Sequence, residues 1–184
     1  MPMFDYDCIE RDRAAATAVL LHPHPDYGGD RYHPVIDALY RGLPVSTLRF
    51  DFGSSDFEAA HAETREAIGL APSSSVVLVG YSFGASVALG VDDPAVLGWF
   101  VVAPPLRWTS GADAAAGRDA RPKHVLVPEF DQYSPPGLTS ELIAGWPSTT
   151  MATLADSDHF LVGRSDAVLG AAAAWLPSVL GQDA

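Results

Sequence analysis

Hydrophobic residues along this chain fall into short continuous runs, which alternate with segments that have helical spacing. A continuous run of branched and aromatic apolar residues is typical of a strand that is buried on both faces of a parallel sheet. On this basis strands are predicted at 17–21, 45–50, 76–79, 96–103, 125–127 and 149–154, with a weaker edge strand at 4–9.

The segments between these runs have the apolar spacing of helices. In 31–42, apolar side chains recur at Val35, Ile36 and Leu39, and Pro34 lies in the first turn. Further helices are predicted from Ser55 or Asp56 to about 70, directly after Ser82, at 139–146 with Thr139 as its cap, and from 165 to about 180. Because strands and helices alternate, we predict an open, mostly parallel α/β sheet with helices on both faces.

The motif G-x-S-x-G occurs once in this framework, as Gly80-Tyr81-Ser82-Phe83-Gly84 between an apolar run and a small-residue helical segment. It is typical of a strand–turn–helix in which a serine is lifted out of the turn. Glycine is needed on both sides because the serine has a strained backbone and its neighbours two positions away are pressed close. The alternative interpretation is a tight turn whose serine has no catalytic role.

Composition narrows the classes of partner and compartment. A chain of 184 residues is long enough for one domain with a substantial core, and we expect a single domain over 1–184. The formal charge of −12 argues against nucleic acid and anionic membranes as partners. Cys8 is the only cysteine, which favours a reducing compartment. The segment 1–13 lacks the apolar core of a secretory signal, and no run of about eighteen apolar residues occurs, so a cytoplasmic location is expected.

Three residues at strand ends could form a nucleophile, base and acid. A serine hydroxyl is a weak nucleophile near neutral pH and needs a histidine that is itself oriented by a carboxylate. Asp131 and His159 follow later strands than Ser82, and the carboxyl ends of parallel strands meet at one edge of the sheet. The chain order Ser82, Asp131, His159 is the order expected for an α/β-hydrolase arrangement.

Other carboxylates are weaker candidates for the acid. Glu129 lies closer to its strand than Asp131, but Asp131 leaves the loop length that such an acid usually needs, and Glu129 stays the alternative. Asp156 and Asp158 are expected to shape the turn that carries His159.

Three further histidines are weaker candidates for the base. His33 lies near a helix start and is expected to be structural. His61 lies in a polar helical stretch and is expected on the solvated surface. His124 precedes a strand at the wrong edge of the sheet.

Three longer motifs occur in order along the chain: HPHP-x-YGG at 22–29, GYSFGA at 80–85 and DHF at 158–160. They resemble the α/β-hydrolases, in particular a small lidless group of dienelactone-hydrolase-like esterases. The resemblance covers roughly 18–176 and implies an α/β-hydrolase fold without a cap domain, since 107–123 is too short to fold one. One departure is that the longer Gly/Arg segment which follows LRF-x-F in that group is reduced here to Gly53-Ser54-Ser55.

The resemblance also implies an oxyanion hole made of two backbone N–H groups. One is the amide of Phe83, which directly follows Ser82. The other comes from the loop after the first core strand, where His24 is our choice because Pro23 and Pro25 have no N–H.

His22, His24 and His33 could instead be interpreted as a metal cluster. The prolines stiffen this loop, and no carboxylate or cysteine lies at a recognised ligand spacing. We therefore expect no metal site, and a serine nucleophile with its base and acid needs no organic cofactor.

Aromatic residues of the strand-end loops are candidates to line a substrate site: Tyr27, Trp108 and Tyr133, with Phe52, Pro135 and Pro136 as further candidates. Plain core packing explains each of them equally well.

The predicted function is a serine hydrolase that acts on an ester or related acyl bond of a small-molecule substrate. Thioesterase, amidase or dienelactone-type activity and a non-catalytic binding protein are the alternatives, and oligomeric state is left open.

Overall fold

The computed structural model describes residues 4–108 and 114–181. Within these residues seven strands form one sheet, in the spatial order β1-β3-β2-β4-β5-β6-β7. The strands are β1 (Tyr6–Ile9), β2 (Thr17–Leu21), β3 (Ser46–Phe50), β4 (Val76–Tyr81), β5 (Val96–Val102), β6 (Lys123–Phe130) and β7 (Thr149–Asp158). Strand β1 runs antiparallel to β3, and every other neighbouring pair is parallel. The mostly parallel sheet predicted from the apolar runs is confirmed.

Helices cover both faces of this sheet, as predicted. They are α1 (Pro34–Gly42), α2 (Phe57–Gly69), α3 (Phe83–Gly90), α4 (Pro136–Ile143) and α5 (Ser165–Leu180). Helices α1 and α5 pack over one face, and α2 and α3 pack over the other. Side chains alternate between the two apolar cores along the central strands β4 and β5, so that Leu78 and Trp99 lie on one side while Val79 and Phe100 lie on the other.

Strands β6 and β7 extend beyond their predicted ends at 127 and 154. Their pairing shifts register between Pro128 and Phe130 and then resumes, with Phe130 opposite Asp158. Proline has no N–H for the ladder, so an irregularity at Pro128 is expected on chemical grounds. This extension carries both strands up to the residues predicted to be the acid and the base.

The predicted start of α4 was wrong by one turn. The helix begins at Pro136, because proline suits the first helical position, where its missing N–H is no loss. Thr139 therefore does not cap the helix; it is buried, and its hydroxyl donates to the carbonyl oxygen of Ser134 at 3.0 Å.

The connection between β5 and β6 is short and carries no folded cap in its described part. Apart from turns, that part contains one 3-10 helix at Ala115–Arg118. Nowhere in the described chain does a helix combine the length and the hydrophobicity that crossing a bilayer requires.

Candidate active site

Ser82 lies in the turn between β4 and α3, at the carboxyl edge of the sheet. Its backbone has φ 54° and ψ −114°, a conformation that residues with a side chain rarely adopt. A Cβ on Gly80 would lie 2.3 Å from the carbonyl oxygen of Gly84, and one on Gly84 would lie 2.3 Å from the carbonyl oxygen of Leu21. Both glycines are therefore required by close backbone packing, as the motif predicts.

A chain of hydrogen bonds joins Ser82 to His159 and Asp131. The Oγ of Ser82 lies 2.8 Å from Nε2 of His159. The Nδ1 of His159 lies 2.8 Å from Oδ2 of Asp131. Because Nδ1–H donates to the carboxylate, Nε2 is free to accept the proton of the serine hydroxyl. The structure thus brings together the three residues that sequence analysis selected for nucleophile, base and acid.

The carboxylate of Asp131 is buried and held in one orientation. Its Oδ1 accepts hydrogen bonds from the backbone amides of Tyr133 at 2.8 Å and Ser134 at 3.0 Å, while Oδ2 faces the imidazole. Glu129, the alternative acid, is exposed, and its Oε2 accepts from the amide of Asp156 at 2.9 Å. Asp131 and not Glu129 is therefore the carboxylate in contact with the histidine.

Tyr81 anchors the segment that carries His159 through a hydrogen bond to its backbone. The phenol of Tyr81 donates to the backbone carbonyl oxygen of His159 at 2.7 Å. Burial raises the pKa of Tyr81, and the carboxylates of Asp131 and Asp158 add to the effect, so the phenol stays protonated and acts as a donor. Sequence analysis assigned Tyr81 no role, although a tyrosine in an apolar strand needs a hydrogen-bond partner, which is a usable signal.

Asp158 and Asp156 shape the same segment, as predicted. Oδ1 of Asp158 accepts from the amide of Phe160 at 3.0 Å. Asp156 has a positive φ of 51°, and its carbonyl oxygen accepts from the guanidinium of Arg164. These contacts fix the turn that presents His159.

The amides of Phe83 and His24 have no hydrogen-bond acceptor among the described residues. Phe83 is the first residue of α3, and its N–H donates to no described residue; the same holds for the N–H of His24. The amide of Gly84 donates to the carbonyl of His22 at 3.1 Å, and the His24 ring lies 5.1 Å from that of Phe83. These contacts hold α3 against the loop that follows β2. An oxyanion-binding role for the amides of Phe83 and His24 stays a prediction.

His22 holds this loop to the chain that follows β3. It is buried, and its Nδ1–H donates to the carbonyl of Pro23 at 2.6 Å. Its Nε2 accepts from the amide of Phe52 at 2.9 Å. Burial lowers the pKa of His22, which keeps the ring neutral, as an accepting Nε2 requires. Sequence analysis weighed His22 only as a metal ligand, and both of its ring nitrogens are used by the backbone.

The other histidines lie outside the Ser82 cluster. His33 accepts from the amide of Val35 at 3.3 Å and so caps α1, which agrees with a structural role. His61 was predicted on the solvated surface, and this was wrong: it is half-buried, and its Nε2 lies 2.3 Å from where a Cβ on Gly90 would be. The slot that Gly90 leaves between α2 and α3 takes the imidazole.

His124 lies within β6 and does not precede it, because that strand begins at Lys123. Its ring stacks on Phe100 at 5.2 Å, and Nδ1 lies 2.8 Å from the hydroxyl of Thr150. Across 4–108 and 114–181, no group of three or more His, Cys, Asp or Glu side chains is arranged to hold a metal ion.

The predicted lining residues fall into two groups around Ser82. Tyr133 packs edge-on against the His159 ring at 4.5 Å, and Trp108 lies 5.4 Å from Tyr133 with 65% of its surface exposed. On the other side, Tyr27 is exposed and lies 4.7 Å from the His24 ring. Phe52 instead packs in the core against Phe83, at 5.4 Å. Contact of any of these with a substrate stays a prediction.

Two proline candidates lie beyond Tyr133, where Pro135 precedes α4 and Pro136 is its first residue; both are partly exposed.

Sequence analysis missed Phe160, which is 54% exposed with its ring 6.0 Å from that of His159. A shallow cleft of about 410 Å³ lies next to the turn that carries His159. Its lining residues are Phe130, Asp156, Ser157, Asp158 and Val162.

Solved structures resemble this chain over almost its whole length. An α/β serine hydrolase homologue from Coxiella burnetii superposes with a TM-score of 0.78 at 22% identity, covering 94% of this chain and 91% of that one. An α/β serine hydrolase without a lid from Xanthomonas campestris gives 0.78 at 20% identity, with coverages of 97% and 88%. Est1E from Butyrivibrio proteoclasticus gives 0.79 at 10% identity, with coverages of 97% and 95%.

No protein-family model matches the chain, and no curated protein matches it significantly. At the identities found among solved structures, the likeness establishes the architecture. The chain has the α/β-hydrolase fold, and one of the structures similar to it is described as lidless.

Proposed function

We propose that this protein is a serine hydrolase that cleaves an ester or related acyl bond of a small substrate. The observation that carries the proposal is the pair of 2.8 Å contacts from Ser82 Oγ to His159 and from His159 to Asp131. A serine on a strained turn, beside a histidine that is oriented by a buried carboxylate, is the arrangement that acyl transfer needs. Neighbours of the same fold that are described as serine hydrolases or, in one case, as an esterase add support.

In the first half of the proposed reaction, Ser82 Oγ attacks the carbonyl carbon of the substrate and passes its proton to Nε2 of His159. The Asp131 carboxylate stabilises the resulting imidazolium through Nδ1–H. The substrate's carbonyl oxygen becomes an oxyanion and accepts hydrogen bonds from the Phe83 and His24 amides, with the positive end of α3 beside it. When the tetrahedral intermediate collapses, the bond to the leaving group breaks and His159 gives its proton to the leaving oxygen.

The second half regenerates the enzyme. His159 takes a proton from a water molecule, whose oxygen attacks the acyl-Ser82 ester. Collapse of the second tetrahedral intermediate releases the carboxylic acid and returns the proton to Ser82 Oγ. Apart from the substrate and this water molecule, every group used in these steps belongs to the chain.

Covalent labelling tests the proposal most directly. Wild type and Ser82→Ala are treated with a fluorophosphonate probe and assayed with acetate esters, thioacetates and acetamides. We expect labelling and ester turnover in wild type, and loss of both in Ser82→Ala, with kcat reduced by roughly 10⁴-fold or more. Equal labelling of both proteins, or of neither, would favour a non-catalytic binding protein. The thioester and amide arms show which acyl bond is preferred.

A further inference from the structure

Three aromatic side chains form a connected group beside the imidazole of His159, which Tyr133 and Phe160 contact directly. We call Trp108, Tyr133 and Phe160 the aromatic cluster. Tyr133 lies 4.5 Å from His159 in an edge-on arrangement, and Phe160 lies 6.0 Å from it. Tyr133 also joins the other two members, at 5.4 Å from Trp108 and 6.4 Å from Phe160.

Much of this apolar surface is open to solvent. Trp108 is 65% exposed and Phe160 is 54% exposed, although neither is needed to fill the core. Exposed rings that are contiguous and border a candidate site indicate a surface that binds an apolar group. The cluster comes from three separate segments of chain, after β5, after β6 and after β7, so it is not a by-product of one hydrophobic stretch.

The chemistry of acyl transfer decides which half of an ester faces the cluster. His159 must give its proton to the leaving oxygen, and therefore the alcohol half of the substrate lies against the imidazole. The carbonyl oxygen must point the other way, towards the Phe83 and His24 amides. Two exposed rings lie on that side: Tyr27, 4.7 Å from the His24 ring, and Phe57, 5.1 Å from the Phe83 ring.

We infer that the aromatic cluster is the leaving-group subsite and that the enzyme prefers esters of aromatic alcohols. The inference rests on the proposed hydrolase function and adds to it the class of alcohol released. Stacking of the aromatic ring of the alcohol on Trp108 and Phe160 positions the leaving oxygen within reach of Nε2 of His159.

The test keeps the acyl group constant and changes the alcohol. Ethyl acetate and 2-phenylethyl acetate release alcohols of closely similar acidity, so the two esters have similar intrinsic reactivity. The ratio of their kcat/KM values therefore measures mainly how the enzyme binds the phenyl group. A second pair, ethyl acetate and ethyl phenylacetate, places the phenyl group on the acyl side. Both ratios are measured for wild type, Trp108→Ala, Phe160→Ala and Trp108→Phe. Tyr6→Ala, which removes an exposed ring in β1 at the opposite edge of the sheet, is the matched control.

We expect wild type to favour 2-phenylethyl acetate over ethyl acetate. Trp108→Ala and Phe160→Ala should each reduce this preference by roughly threefold to tenfold, Trp108→Phe should retain most of it, and Tyr6→Ala should leave it unchanged. The acyl-side ratio should be the same in all five proteins.

Two results overturn the inference. If Ser82-dependent hydrolysis is present but the alcohol preference is unchanged in both alanine variants, or only the acyl-side ratio falls, the cluster is not the leaving-group subsite although the hydrolase function stands. If no ester is hydrolysed in a Ser82-dependent way and no fluorophosphonate labelling occurs, both proposals fail together.

Discussion

The phenol of Tyr81 donates a 2.7 Å hydrogen bond to the backbone carbonyl of His159. Tyr81 is the last residue of β4 and holds the segment that carries His159, the proposed base. The next residue is Ser82, the proposed nucleophile. The bond is buried, and a buried hydrogen bond is stronger than one exposed to water. The spacing between Ser82 Oγ and His159 Nε2 is therefore set by the central strand as well as by the turn after β7.

Replacing Tyr81 by Phe should misplace the imidazole without removing any group from the hydrogen-bond chain. The buried carbonyl of His159 loses its donor, and we expect the free energy of unfolding to fall by about 1–2 kcal/mol. Turnover should fall by roughly tenfold with little change in KM, since the defect lies in alignment. Ester kinetics and urea unfolding measure the two effects, with Tyr6→Phe as an exposed control. An unchanged kcat in a destabilised Tyr81→Phe protein would assign Tyr81 to stability alone.

Asparagine at position 131 should separate the two candidate acids. Asp131→Asn keeps an acceptor for the amides of Tyr133 and Ser134, but its NH₂ group opposes Nδ1–H and favours the tautomer in which Nε2 cannot accept a proton. We expect kcat to fall by about 10²–10⁴-fold. Glu129→Gln, which can still accept from the amide of Asp156, should stay within about twofold of wild type. A larger loss in Glu129→Gln than in Asp131→Asn would reverse the assignment.

Two glycines in helices should respond in opposite ways to alanine. A Cβ on Gly84 meets the backbone carbonyl of Leu21 at 2.3 Å, and neither β2 nor α3 can shift cheaply, so Gly84→Ala should cost about 2–3 kcal/mol of unfolding free energy or more. Gly170, in α5, has no atom within 4 Å of the corresponding position, and Gly170→Ala should add about 0.5–1 kcal/mol. Urea unfolding of both variants measures the difference, and effects of the same sign would contradict the close approach of α3 to β2.

The features that sequence analysis predicted well are those fixed by local chemistry. A continuous apolar run has few options other than a buried strand, and the G-x-S-x-G turn follows from steric contacts within five residues. The positions of Asp131 and His159 followed from topology, because parallel strands deliver their carboxyl ends to one edge. These inferences needed no knowledge of side-chain packing.

The features that it missed or left open depend on contacts between distant segments. Sequence analysis chose Asp131 on loop length and kept Glu129 as the alternative; in the structure Asp131 contacts His159, whereas Glu129 accepts from the amide of Asp156. His61 is half-buried because Gly90, 29 residues further along the chain, leaves room for it. The residues that neighbour Asp131, Glu129 and His61 in the sequence give no signal of these contacts.

Acid should destabilise the fold through His22. Burial lowers the pKa of His22 below its ordinary value of 6.5, whereas in the unfolded chain the ring titrates near that value. Above 6.5 both states are neutral, and His22 adds no pH dependence. As the pH falls below 6.5, the unfolded chain binds the proton first, so the free energy of unfolding declines by up to about 1.4 kcal/mol per pH unit until the folded ring also titrates.

His22→Gln removes this proton uptake, while its side-chain oxygen can still accept from the amide of Phe52. Urea unfolding between about pH 5 and pH 8 should show a shallower decline for the variant than for wild type. Part of the decline should remain, because burial also lowers the pKa values of His33, His61 and His124. Asp119, with its pKa lowered to about 2, titrates below this range and does not obscure the comparison. Identical pH profiles for the two proteins would show that His22 is not held neutral by the folded chain.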